Sequence, residues 1–66
     1  MTGQILRIRQ DKGFMFIKCE DGAERFSHRS RCLETAPFEN LKVKDHVKFK
    51  LEDHERGVRC VDIEYL

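Results

Sequence analysis

Sixty-six residues suffice for one small domain over 1–66 and leave no room for a second, and a domain of this size buries only about 60% of the surface that its unfolded chain exposes. Charged residues make up 38% of the chain, but 13 Lys and Arg against 12 Asp and Glu leave a net charge of +1, so total charge announces no polyanionic partner. No apolar run approaches the roughly 18 residues of a membrane span, no signal peptide opens the chain, and three widely spaced cysteines lack a CxxC pair; a cytoplasmic protein with reduced thiols is expected.

Short alternating segments separated by turn residues run throughout, and no stretch holds a helical apolar period for three turns, so the chain reads as all-β. The first strand is expected over Gln4 to Gln10, with Leu6 and Ile8 on one face and Ile5 on the other. Asp11-Lys12-Gly13 turns the chain into a second strand, Phe14-Met15-Phe16-Ile17-Lys18-Cys19. Glu20-Asp21-Gly22 carries the Asp-Gly hairpin signal and leads to a third strand near Glu24 to Arg29.

Residues 30 to 42 hold the single Pro and read as a long connection that contains Phe38, with one helical turn at its start. A fourth strand is expected over Asp45 to Glu52 with Val47, Phe49 and Leu51 inward. Asp53 to Gly57 forms a polar turn, and a fifth strand over Val58 to Tyr65 sets Val61, Ile63 and Tyr65 against Cys60, Asp62 and Glu64. Five short strands with a long third connection predict a small antiparallel barrel in which nearly every edge is paired.

The second strand carries the chemistry. Alternation places Met15, Ile17 and Cys19 on the core face and Phe14, Phe16 and Lys18 on the outer one. Two rings beside a lysine on a solvated face suit a flat, negatively charged ligand, and an unpaired nucleic-acid strand offers stackable bases together with phosphates. Phe26 and His28 of the third strand join this face. Residues 1–31 carry seven basic and four acidic side chains, whereas 32–66 carry six and eight, so positive charge accompanies the rings. Arg7, Arg9, Lys12 and Arg29 are the cations placed to reach phosphates. Glu24 is a candidate acceptor for a base edge.

Lys12 to Ile17 and Arg25 to Arg29 resemble the two RNA-binding signatures of the cold-shock domain family, Lys-Gly-Phe-Gly-Phe-Ile and Val-Phe-Val-His-Phe. The likeness spans the chain: Gly3 and Ile5 at its opening, Asp21-Gly22 in the hairpin, Phe38 in the loop, Val47 and Phe49 in the fourth strand, and Arg56-Gly57 in the last turn. The resemblance implies a five-stranded antiparallel OB-type β-barrel that binds single-stranded RNA or DNA, with Ile8, Phe38 and Arg56 added to the binding residues; a monomer is expected, with a dimer as the alternative. It also implies an RNA-chaperone role in transcription or translation. Arg7 stands where the family has Trp, Ile8 where it has Phe, Met15 for Gly, Arg29 for Phe, and Arg25 and Ser27 for inward valines. An arginine facing a barrel core is costly unless it snorkels or finds a partner.

Other classes find less support. His28 and Cys32 are four apart with no third orienting group, so no enzyme is expected. Cys19, Cys32, Cys60, His46 and His54 lack the paired spacing of a metal site, and no cofactor or small-molecule substrate is expected. A protein-interaction OB module using Arg7, Arg25 and Arg29, or an initiation-factor-like ribosomal RNA binder, remain as alternatives.

Overall fold

The computed structural model describes all of residues 1–66. Five strands form, β1 (Thr2–Arg9), β2 (Phe14–Cys19), β3 (Glu24–His28), β4 (His46–His54) and β5 (Gly57–Tyr65), with single 3₁₀ turns at Arg29–Arg31 and Phe38–Asn40 in the long connection. They close into a barrel in the order β1-β2-β3-β5-β4, sealed where Thr2 to Gln4 pair with His46 to Lys48. All neighbours are antiparallel except β3 and β5, which meet in parallel through Phe26 and Arg59. The expected antiparallel barrel is thus a mixed one. The 29–45 connection and β4 return the chain so that β5 enters beside β3 in the same direction, and closure requires that contact.

Two bulges reset the faces. Ile5 pairs with Ile17 but Arg7 pairs with Phe16, so Leu6 has no partner and the alternation of β1 slips by one residue. Ile5 and Ile8 therefore both turn toward the core, and the expected opposition of Ile5 to Ile8 is corrected. In the second case Lys48 pairs with Glu64 but Lys50 with Val61, so β5 carries the extra residue and Asp62 adopts φ 54°. Cys60 and Ile63 consequently reach the core while Tyr65 lies outside, its hydroxyl donating to the Asn40 carbonyl at 3.1 Å. Leu51, expected inward, is 38% exposed because the β4–β5 hairpin runs on past the barrel.

The interior is one cluster of Ile5, Met15, Ile17, Val47, Phe49, Cys60 and Ile63 with neighbouring smaller residues. Phe38, Ala36 and Leu41 of the long connection fold in to cover it. At one end Gly3 packs so closely on β2 that a Cβ there would lie 2.6 Å from the Lys18 carbonyl oxygen. No helix is long and apolar enough to cross a membrane.

Candidate nucleic-acid interface

The outer face of β2 and β3 assembles as the alternation predicts. Phe14 stands opposite His28, Phe16 opposite Phe26, and Lys18 opposite Glu24, while Met15, Ile17 and Ser27 between them are fully buried. Phe14, Phe16 and Phe26 are half-buried and form one patch. Phe14 and Phe16 meet edge to face at 5.8 Å, Phe16 and Phe26 edge to face at 5.9 Å, and Phe14 and Phe26 are tilted by 32° at 5.4 Å. Such contacts hold each ring in place while each residue stays partly exposed to solvent.

The bulge at Leu6 delivers the cations. It sets Arg7 beside Phe16 and Arg9 beside Phe14, and the Arg7 guanidinium lies over the Phe16 ring at 5.6 Å from its centroid. Arg9 instead engages Asp11 at 3.4 Å, which neutralises it. That ion pair holds the Asp11 carboxyl below its ordinary range, with the Arg9 hydrogen bond as the main cause. Lys12 is exposed in the following turn, and Gly13 adopts φ 73°, a left-handed conformation that suits glycine. A Cβ on Gly13 would meet the Arg29 side chain at 2.8 Å, so Arg29 lies directly against the Lys12 turn, tied there by its N–H to the Gly13 carbonyl at 2.8 Å. Lys12 and Arg29 thus flank the Phe14 end of the patch.

His28 is exposed at that same end. Its Nδ1 accepts the Ser30 backbone N–H at 3.2 Å and lies 2.9 Å from the Ser30 hydroxyl, so the neutral ring carries its proton on Nε2, free to donate outward. Glu24 is exposed on the same face and brings a carboxylate to the opposite end, beside Lys18.

Three expected site residues lie elsewhere. Ile8 pairs with Met15 and packs against the core, because the bulge turns it inward. Phe38 is 6% exposed and plugs the barrel, its ring claimed by the core that the short strands leave open on that side. Arg56 sits at the tip of the β4–β5 turn, where its backbone N–H caps His54 Nδ1 and its side chain touches none of the rings.

The positions of the missing valines are resolved differently from each other. Ser27 is fully buried and its hydroxyl donates to the Cys60 carbonyl at 2.9 Å, which satisfies it within the core. Arg25 stands opposite buried Ile17 at the barrel mouth but snorkels out to grip Asp21 with both terminal nitrogens, at 3.1 and 3.0 Å. The Arg25 hydrogen bond, aided by the Ala23 N–H, holds the Asp21 carboxyl below its ordinary range, and the Arg25 pKa is raised mainly by Asp21.

One contributor was not visible in the sequence. Arg59 of β5 pairs with Phe26 across the parallel contact, and its guanidinium lies over that ring at 4.7 Å. Only the barrel closure brings it there; its local alternation marks it merely as a strand cation.

The chain matches the family described as the "cold-shock" DNA-binding domain over residues 1–65. It belongs to the cold-shock domain family. It is 34% identical over 61 residues to the major cold shock protein of Streptococcus pyogenes serotype M6, covering 92% of this chain and 90% of that one. Over 63 residues it is 33% identical to the major cold shock protein of Bacillus cereus and 32% to a cold shock-like protein of Bacillus anthracis, covering 96% of this chain and 92% of each relative. Family membership agrees with the closed, OB-type barrel and makes the chain a nucleic-acid-binding protein of cold-shock type.

Proposed function

We propose that this cold-shock domain binds unpaired RNA or DNA on the β2–β3 face, with bases stacked on Phe14, Phe16, Phe26 and His28 and with Lys12 and Arg29 tracking the phosphates. The observation that carries the proposal is the continuous patch of three half-buried rings bordered by cations that have no ion-pair partner. All five ion pairs of the molecule involve other basic residues, namely Arg9, Arg25, Arg31, Lys48 and Lys50. Of the cations beside the rings Arg9 alone is neutralised, and Arg7, Lys12 and Arg29 are left available.

Bases in a duplex hide their faces from such a patch, so binding selects unpaired strand and opposes local pairing by mass action. An RNA chaperone that keeps transcripts open during transcription or translation, without nucleotide hydrolysis, is the activity that follows. The test compares an unstructured oligonucleotide with a duplex of the same sequence by fluorescence anisotropy, and adds a hairpin carrying a fluorophore and quencher to report opening. Tight binding of the single strand with hairpin opening is expected. Equal affinity for the duplex would refute the stacking face, and binding without hairpin opening would refute the chaperone role.

A further inference from the structure

Arg7, Phe16, Phe26 and Arg59 are successive partners across four adjacent strands, β1, β2, β3 and β5. They form a single row, guanidinium, ring, ring, guanidinium, which crosses three strand spacings and so is about 14 Å long. Each arginine rests over the ring beside it, at 5.6 Å for Arg7 and 4.7 Å for Arg59. Neither is ion-paired, and neither donates a side-chain hydrogen bond within the protein.

That arrangement has a chemical consequence. A cation–π contact attracts the guanidinium through its charge and uses none of its five N–H donors. Each fork is thus positioned by its ring while its donors remain unspent. A base stacked on Phe16 or Phe26 has a guanidinium beside it rather than a freely swinging chain, and the choice of base falls to whichever edge best matches a rigid pair of donors. Guanine presents two adjacent acceptors, O6 and N7, which a guanidinium takes bidentately. Adenine presents an acceptor beside an amino donor, and thymine or uracil a carbonyl beside an N–H donor, so each meets the fork with one repulsive contact. Cytosine has two adjacent acceptors, O2 and N3, but on a single ring with less surface to stack.

Resting on the nucleic-acid reading above, we infer that the Arg7–Phe16–Phe26–Arg59 row is a guanine-selective subsite, in which the rings hold the base and the two arginines read it. The row sets base preference. Lys12 and Arg29, at the other end of the patch, carry backbone contacts that are blind to sequence.

The experiment uses the intact chain and four heptamers, heptathymidine and its variants with a single central guanine, cytosine or adenine, titrated by fluorescence anisotropy at one salt concentration. The guanine heptamer should bind at least about fivefold more tightly than heptathymidine or the adenine heptamer. Arg7→Lys and Arg59→Lys keep the charge but lose the fork, so each should reduce the ratio of guanine-heptamer to heptathymidine affinity, and together they should bring that ratio to about one. Thermal melting of each variant establishes that it is folded. Equal binding of all four heptamers would overturn the inference and leave the stacking face intact, as would a cytosine heptamer that outbinds guanine or a guanine preference that survives both lysine substitutions. Failure of the parent protein to bind any heptamer would instead overturn the nucleic-acid reading itself.

Discussion

Phe16→Ala is the substitution that probes the interface most directly, because Phe16 touches both other rings and the Arg7 guanidinium. Its ring contacts Phe14 at 5.8 Å, Phe26 at 5.9 Å and the Arg7 guanidinium at 5.6 Å. Each aromatic pair is worth about 0.5–1.5 kcal/mol and a cation–π contact at a solvated site about 0.5–1 kcal/mol, so truncation should cost about 1.5–4 kcal/mol of folding stability. A domain this small has only about 3–10 kcal/mol in total. Binding loses a stacked base on top of that, about 1–3 kcal/mol, or roughly five- to 150-fold in affinity. Phe16→Leu separates the two effects, since leucine restores apolar contact and folding but offers no ring. Urea denaturation gives stability, and anisotropy with heptathymidine gives affinity on samples shown to be folded. Lys50→Ala is the control: Lys50 lies on β4, away from the rings, and its charge is engaged by Asp62 at 3.9 Å, so affinity should stay within about twofold. A folded Phe16→Leu protein that binds as tightly as the parent would refute the placement of bases on this face.

Lys12→Ala and Arg29→Ala should each make the dependence of log affinity on log salt shallower by about 0.7 on a single strand; an unchanged slope would mean that these cations touch no phosphate. Gly13→Ala should lower the melting midpoint, because φ 73° is strained for alanine and the new methyl group meets the Arg29 side chain, and it should weaken binding by displacing Arg29. Arg25→Val should also lower the midpoint, since the bidentate contact with Asp21 is lost, and should blunt the loss of stability in acid. The sign follows from Asp21: its lowered pKa contributes stability above the ordinary carboxylate range that disappears as pH falls through the folded-state value, as acid denaturation of both proteins would show. At the alkaline end, burial and the neighbouring Cys19, 4.0 Å away, push the Cys60 thiol up to about 12. The unfolded chain then loses this proton first, so stability is complete below about pH 8.5 and falls between there and about pH 12. Cys60→Ala should flatten that decline in urea denaturation at about pH 8 and about pH 10, and a parallel decline would exclude the thiol as its source.

The sequence was most legible where a single strand reports on itself. Phe14-Met15-Phe16-Ile17-Lys18-Cys19 has a strict period of two, so the ring face and the core face of β2 could be told apart without coordinates, and Phe26 and His28 followed from the hairpin signal at Asp21-Gly22. Lys12 and Arg29 were near that face in sequence and remain so in space. Ile8 and Leu51 were misplaced for a different reason. A β-bulge costs one unpaired residue and has no dependable composition signal, yet it inverts every later face of its strand, and a hairpin that outruns its barrel keeps its alternation after there is no interior left to face.

Phe38, expected at the binding face, lies in the core, and Arg59, a strand cation with no expected role, lies over a ring of that face; both positions depend on tertiary structure. The period-two pattern and the turn residues determined by themselves that the chain is all-β, that its rings share one outer face and that basic residues accompany them, because both signals depend on neighbours within a few positions. Whether a loop aromatic plugs the core or faces solvent depends on the volume that five strands leave unfilled, and this became definite only when Phe38 closed over the cluster of Ile5, Met15 and Phe49. The parallel contact between β3 and β5 joins residues 26 and 59, and its register is a property of barrel closure rather than of either segment. The tertiary structure alone therefore decided that an arginine remote in sequence lies over the Phe26 ring, since side chains on strands distant in the chain become neighbours only when the last edge is sealed.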